Sequence, residues 1–452
     1  MKMEDMILVS VDDHVCEPPD MWEGFLPAKW KDKAPRLVHK ADGSDVWVFE
    51  GRQIPNVGLN AVAGRAPEEY GMEPTALSQL RKGCYDVDAR IDDMNVNGVL
   101  GSLCFSSVPG FTGELFAKQP DKEMARAMLQ AYNDWHIDGW CAAHPGRFIP
   151  LALPMLWDPK ACAEEIHRVA KKGCHAITFA DTPGGLGYPS LHSDYWDPIW
   201  RACDETGTVL AIHIGSGTGM NLQDTKAPVE IMITSTPISL FNCATELVFS
   251  SFLRKYENLK IALSEGGTGW VPYFLERADY VYSHHRHWTH QDFGKKTPSD
   301  VFREHIITCF IDDPVGVRTR DLTGVDGITW ECDYPHSDTT WPESPERLYE
   351  QAKGVSDADL NKITHLNAMK HFQYDPFKHI KKQDATVGAL RAKAAHVDVT
   401  PRRGSGGKPP SDYESGFVTV ADIMKQMSTA FATPFAGNQE KIVDPLTAAR
   451  KG

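Results

Sequence analysis

Four places along the chain bring acids and histidines together at the end of a short apolar run. Met6–Val11 leads into Asp12, Asp13 and His14, with Glu17 close behind. Val209–Ile212 leads into His213, and Leu259–Leu263 into Ser264 and Glu265. Gly327–Trp330 leads into Glu331, Cys332 and Asp333, followed by Tyr334, Pro335 and His336. Asp12 and His14 are two apart, so in an extended segment their side chains share a face. With His213 and Asp333 they supply two imidazoles and two carboxylates. That set suits one divalent metal, zinc first and manganese or iron(II) as alternatives, with an open position for water. Each residue also has a bland reading. A lone histidine such as His213 is commonly hydrogen-bonded core; Asp12 and Asp13 can be cap acids; Asp333 before Tyr-Pro can belong to a turn. Their common location at one end of one fold is what favours the metal.

Glu265 precedes Gly266-Gly267-Thr268-Gly269-Trp270, glycines that let backbone approach a site closely. It reads either as a proton-transfer residue or as an acceptor for the N-terminus of the next helix. The glycine run is no P-loop, because no Gly-Lys-Ser/Thr follows. His336 and Asp338 are close enough in sequence to Asp333 to orient it. His284-His285-Arg286-His287-Trp288 is a basic patch in which His285 could meet a substrate carboxylate, against the simpler reading of a solvated helix end. Trp270, Trp47 and Trp288 are candidate pocket walls or plain packing. Asp181, Asp312 and Asp313 also follow apolar runs and read as caps, turn acids or supports of the site. No G-x-S-x-G elbow is present, so a serine hydrolase has no support. Cys332 lies in an apolar run and reads as a buried thiol.

The elements that must position these groups alternate. Apolar, β-branched runs at Met6–Val11, Gly98–Cys104, Phe148–Leu153, His175–Phe179, Val209–Ile212, Leu259–Leu263, Ile306–Ile311 and Gly327–Trp330 read as strands. Asp121–Trp140, Pro159–Lys172, Ser193–Thr206 and Ser235–Lys255 read as helices between them, and a last helix falls near Leu360–Phe372. That order predicts parallel strands with right-handed crossovers, and the repeat fits a (β/α)8 barrel, whose catalytic groups follow the C-terminal ends of strands. An open doubly wound sheet would need a G-x-G-x-x-G after its first strand, and none is there. A long insertion spans residues 18–80, with a small hairpin at Val46–Phe49 before Gly51. The barrel is expected over residues 1–380 and an appended arm over 381–452, with a Pro/Gly-rich linker at 400–411 and a short helix at Val418–Phe431.

Composition narrows the class. The chain of 452 residues is 42% hydrophobic with a net charge of −14, against disorder and against a surface for nucleic acid or anionic membrane. No run of 18 apolar residues is seen. Met1–Ser10 carries Glu4 and Asp5 and no secretory apolar stretch, and the ten cysteines form no C-x-x-C pair, as in a reduced cytoplasmic protein.

VDDHVCEPPDMW, AIHIGS around His213, LSEGGTGWVPYFLERAD and WECDYPHSDTTWP, in that order, resemble the amidohydrolase-related branch of the amidohydrolase superfamily. That branch includes aminocarboxymuconate-semialdehyde decarboxylase, non-oxidative aromatic acid decarboxylases and some ring-cleavage hydrolases. The resemblance covers residues 6–380 and implies a metal-dependent barrel, commonly a homodimer, with the metal on Asp12, His14, His213 and Asp333. Two departures stand out. The first strand carries Asp-x-His in place of His-x-His, and Glu265 stands where many of the decarboxylases have histidine. No lysine ends the fourth strand, so a single metal is expected. The first expectation is a hydrolase that activates a metal-bound water against a small carboxylated or aromatic substrate, Asp333 taking the proton and Glu265 serving the leaving group. The alternatives are a metal-dependent non-oxidative decarboxylase of an aromatic or muconate-type acid, in which Glu265 protonates carbon, and a catalytically inactive binding barrel.

Overall fold

The computed structural model describes residues 1–71, 73–217, 224–403, 416–430 and 433–434. Eight parallel strands form the barrel: β1 (Leu8–Val15), β5 (Val99–Ser106), β6 (Phe148–Ile149), β7 (Ala176–Phe179), β8 (Val209–His213), β9 (Lys260–Ser264), β10 (Ile306–Phe310) and β11 (Ile328–Trp330). They form a three-stranded sheet, β1-β5-β6, and a five-stranded one, β7 to β11. A single bridge, Ala152 to Ile177, joins β6 to β7. On the other side Asp333 N donates to Asp12 O at 2.8 Å and His14 N to Tyr334 O at 2.7 Å, which closes β11 onto β1. The (β/α)8 architecture read from the alternating pattern is therefore the architecture of the chain.

Alternation along the strands explains the two cores. In β8, Val209 and Ala211 belong to a cluster inside the barrel, and Leu210 and Ile212 to the cluster under the helices. In β9, Ala262 faces in while Ile261 and Leu263 face out. One set meets across the barrel interior and the other packs under the helices, as expected for strands buried on both faces. By the same parity His213 shares the inward face of Val209 and Ala211.

β1 runs four residues further than Val11, so Asp12 and His14 sit within the strand and not after it. The ladder steps from Ser10 opposite Ser102 to Asp13 opposite Cys104, an extra residue on β1. This bulge at the Val11–Asp12 step locally re-aims the side chains. The expected third strand is shorter than read, Phe148–Ile149.

The insertion folds as an antiparallel sheet of β2 (Arg36–His39), β3 (Asp45–Phe49) and β4 (Arg52–Ile54). Glu50 and Gly51 both take positive φ, 47° and 72°, the backbone a tight β3–β4 turn requires. A two-residue strand, β12 (Thr433–Pro434), pairs antiparallel with β4. The helix expected at Val418–Phe431 is found at Val420–Ala430, tethered where Val420 N donates to Ala227 O at 2.9 Å. Most of the 400–411 linker, and Phe431, lie outside the described residues.

Val229–Phe249 is long and apolar enough to cross a membrane by length and composition, with mean hydropathy 1.2. Polar residues such as Glu230 and Asn242 keep it from being an unbroken apolar run. The stretch is interrupted around Thr236–Pro237, and its second half, Ile238–Phe249, buries Leu240, Cys243, Ala244, Leu247 and Val248.

Candidate metal centre

The structure brings Asp12, His14, His213, Glu265, Asp333 and His336 together at the C-terminal mouth of the barrel. His213 Nδ1 lies 2.8 Å from Ile214 O, which leaves Nε2 for the centre. That Nε2 lies 3.3 Å from His14 Nε2, 3.7 Å from Asp12 Oδ2 and 3.5 Å from Glu265 Oε2. His14 Nε2 lies 3.5 Å from Asp12 Oδ1 and 3.3 Å from Asp333 Oδ1. His336 stacks on His14 with ring centroids 3.8 Å apart, and its Nδ1 is 2.8 Å from Asp333 Oδ1 and 3.6 Å from Glu265 Oε1. Two overlapping sets, Asp12–His14–His213 and His14–Glu265–Asp333–His336, each place their ligand atoms within 4.8 Å of one another.

These residues fit a cation. All four carboxylate oxygens of Asp12 and Asp333 are buried and accept no well-directed hydrogen bond; His336 Nδ1 approaches Asp333 Oδ1 at 2.8 Å as an ion-pair contact only. Burial, and the charge of Glu265 beside them, push both carboxyls well above the usual carboxylate range. Burial holds the His14 imidazole well below its ordinary value, in the neutral form a metal ligand needs. A divalent ion among two neutral imidazoles and two stranded carboxylates would supply the missing charge and the missing partners.

Local structure aims the groups. Glu265 and Asp333, just beyond β9 and β11, take left-handed φ of 62° and 57°. Non-glycine residues in that region mark strain that surrounding contacts must hold. Glu331 holds one by accepting from Glu265 N at 3.2 Å and 3.3 Å. Asp13 holds the other side, accepting from Tyr334 N at 2.9 Å and from the Ser102 hydroxyl. Fully buried Arg90 donates to the carbonyls of His14 and Gly83.

The alternative role for Glu265 falls to another residue. Asp313 accepts from Thr268 N at 2.7 Å and Gly269 N at 2.6 Å, and caps its own helix through Gly316 N at 2.7 Å. A Cβ at Gly269 would lie 2.8 Å from Asp313, so glycine is required there. Burial alone would raise the Glu265 carboxyl, but His213 and His336 outweigh it and hold the group well below its usual range.

Three expected residues stand elsewhere. Trp270 packs against Phe241, Phe274 and Phe302, and its indole donates to Gly266 O at 2.9 Å. His285 sits far down the helix Val271–Thr289, about 21 Å along its axis from the mouth, and pairs with exposed Trp288. A barrel helix runs back down from its strand, so its last turn is at the opposite end. Trp47 is buried in the insertion. Asp338 stands at the rim, its carboxyl raised by partial desolvation against the neighbouring loops and by the charge of Glu265. The sequence reading missed Phe111, half-buried on the loop after β5, whose ring stacks on His213 at 4.1 Å. Phe105 lies 5.1 Å from the same imidazole. Nothing titratable marks that loop; the only signal was its place at a strand end.

The solved structures show the same fold at low identity. An amidohydrolase from Mycobacterium avium subsp. paratuberculosis aligns with TM-score 0.60 and 19% identity over 81% of this chain and 99% of its own. A 5-carboxyvanillate decarboxylase from Novosphingobium aromaticivorans, complexed with manganese and 4-hydroxy-3-methoxy-5-nitrobenzoic acid, gives 0.56 and 20% over 82% and 99%. A 2,6-dihydroxybenzoate decarboxylase from Rhizobium gives 0.53 and 17% over 81% and 99%. No curated protein matches the sequence. The family profile described as amidohydrolase matches residues 82–373, more than half of the chain, and the protein therefore belongs to the amidohydrolase family of enzymes.

Proposed function

We propose that the protein is a metal-dependent, non-oxidative carboxy-lyase acting on a small aromatic acid. The observation that carries the metal dependence is the stranded carboxylate pair, Asp12 and Asp333, beside two imidazole nitrogens 3.3 Å apart. The sequence reading put hydrolysis first. The named activities among structures of the same fold, decarboxylation of 5-carboxyvanillate and of 2,6-dihydroxybenzoate, support the alternative. The metal is one divalent ion on Asp12, His14, His213 and Asp333. Zinc, manganese and iron(II) all suit that set, and manganese is the ion in one neighbour.

An ion held by Asp12, His14, His213 and Asp333 would supply Lewis-acid chemistry toward the oxygens of the substrate. The protein's own groups do the rest. Phe105 and Phe111 cover the imidazoles and keep water from them. Glu265, its carboxylate held ionised by His213 and His336, relays a proton from His336 to the ring carbon as the bond from that carbon to the carboxylate breaks; the bond's electron pair stays on carbon and carbon dioxide leaves. His336, 3.6 Å from Glu265 Oε1 and half-buried at the rim, links that carboxyl to solvent for the next proton. Carboxyl groups placed this way contribute about 10²–10⁴-fold in proton transfer.

The test is to incubate the protein, loaded in turn with zinc and manganese, with ortho-hydroxybenzoic acids in heavy water. Carbon dioxide release with one deuterium at the vacated ring carbon is expected. Ester or lactone cleavage with no carbon dioxide would overturn the reading and restore the hydrolase.

A further inference from the structure

The loop after β5 is built with more care than a connector needs. Glu17, fully buried, spends both carboxylate oxygens on it: Ser107 N at 3.0 Å, Val108 N at 2.9 Å and the Tyr132 hydroxyl at 3.1 Å. At the other end Glu114 accepts from Thr112 N at 3.2 Å and from its hydroxyl at 2.9 Å. Gly110 takes φ 80°, and a Cβ there would come within 2.0 Å of Glu114 Oε2. Between these two anchors stands Phe111. Its ring lies nearly parallel to His213, 23° off, and 5.9 Å from His14. An aromatic side chain is thus fixed over two candidate metal ligands by two carboxylates that touch neither.

We infer that Phe111 determines the preference for ring-bearing acids over open-chain acids, and that Glu17 is the residue that positions it. This rests on the carboxy-lyase reading and names the side chain behind its substrate class. A planar aromatic ring bound at the metal would meet the Phe111 face or edge, contacts that a chain without a closed aromatic ring does not make as well. Glu17→Gln would turn an amide group toward one of two backbone N–H donors, and the loop would have to shift.

The test uses full-length protein loaded with manganese. The affinities of 4-hydroxy-3-methoxy-5-nitrobenzoic acid and of cis,cis-muconate are measured, with metal content as a control. Phe111→Ala is expected to weaken the ring acid roughly tenfold, the upper range of aromatic pairing, while muconate affinity and metal content hold. Phe111→Tyr should keep ring binding. Glu17→Gln should weaken the ring acid in the wild-type background and add nothing in the Phe111→Ala background, since it acts through that ring. Equal ring affinity in Phe111→Ala and wild type, or equal loss for ring and chain, would overturn the inference alone. A manganese-loaded wild type that binds no ring acid would overturn the substrate class as well.

Discussion

Two sets of acids share one end of this barrel and live by different rules. Asp13, Glu17, Glu331 and Asp313 each accept hydrogen bonds on their carboxylates, mostly from backbone N–H groups near the mouth and otherwise from the Ser102, Tyr132 and Thr268 hydroxyls. Asp12 and Asp333, one residue from Asp13 and two from Glu331, accept no well-directed one. An acid that satisfies backbone donors is construction; it fixes where a loop runs. A buried acid with no donor is a liability in the apo protein and a ligand once a cation arrives. Burial alone does not separate the two sets. The hydrogen-bond partners do.

The sharpest way to break that distinction is Asp333→Asn. It should take metal content from about one equivalent to near none by elemental analysis, as a neutral amide replaces a charged ligand in a one-metal site. Retained metal would move Asp333 into the construction set. Glu265→Gln should keep the metal and lower turnover of the eventual substrate by about 10²–10⁴-fold.

Glu17 tests the other set through pH. Burial pushes its carboxyl up to about 7 from 4.5. Between those values the folded protein holds a proton the unfolded chain has lost, so stability falls as pH rises through that window and stays lower above it. Glu17→Gln should flatten the difference between its own and the wild-type stability profiles only outside pH 4.5–7, and inside that window shift their gap by about 3 kcal/mol in denaturant titrations. A constant gap would show that Glu17 titrates normally. The smallest effect is expected from Asp313→Ala, about 1–2 kcal/mol of unfolding free energy from a lost cap, with metal content unchanged.

The strands were legible because a parallel barrel buries both strand faces and so writes apolar runs into the sequence. The convergence of Asp12, His14, His213, Glu265 and Asp333 was legible for the same reason, since barrel strands deliver their last residues to one place. What ran against this rule was read poorly. His285 and Trp270 look near the site in sequence, yet one sits on a helix descending from the mouth and the other turns into an aromatic cluster. Phe111 carries no charge and follows no periodic pattern, so only its placement over His213 reveals it. The division of labour between Glu265 and Asp313 depends on a contact between two loops, which no local pattern encodes.

The closure of β11 onto β1 also orders events in time. Asp13 receives its bond from Tyr334 across 321 residues, and Asp12 O receives Asp333 N beside it. A nascent chain extends at about 5–20 residues per second, so β1 waits roughly 16–64 s for the strand that completes it. During that interval Asp12 and His14 exist without Asp333, and the candidate ligand set is only half-built. On the proposed ligand set, metal capture would report a closed barrel, and a cell that supplied the ion would stabilise only chains that have finished folding.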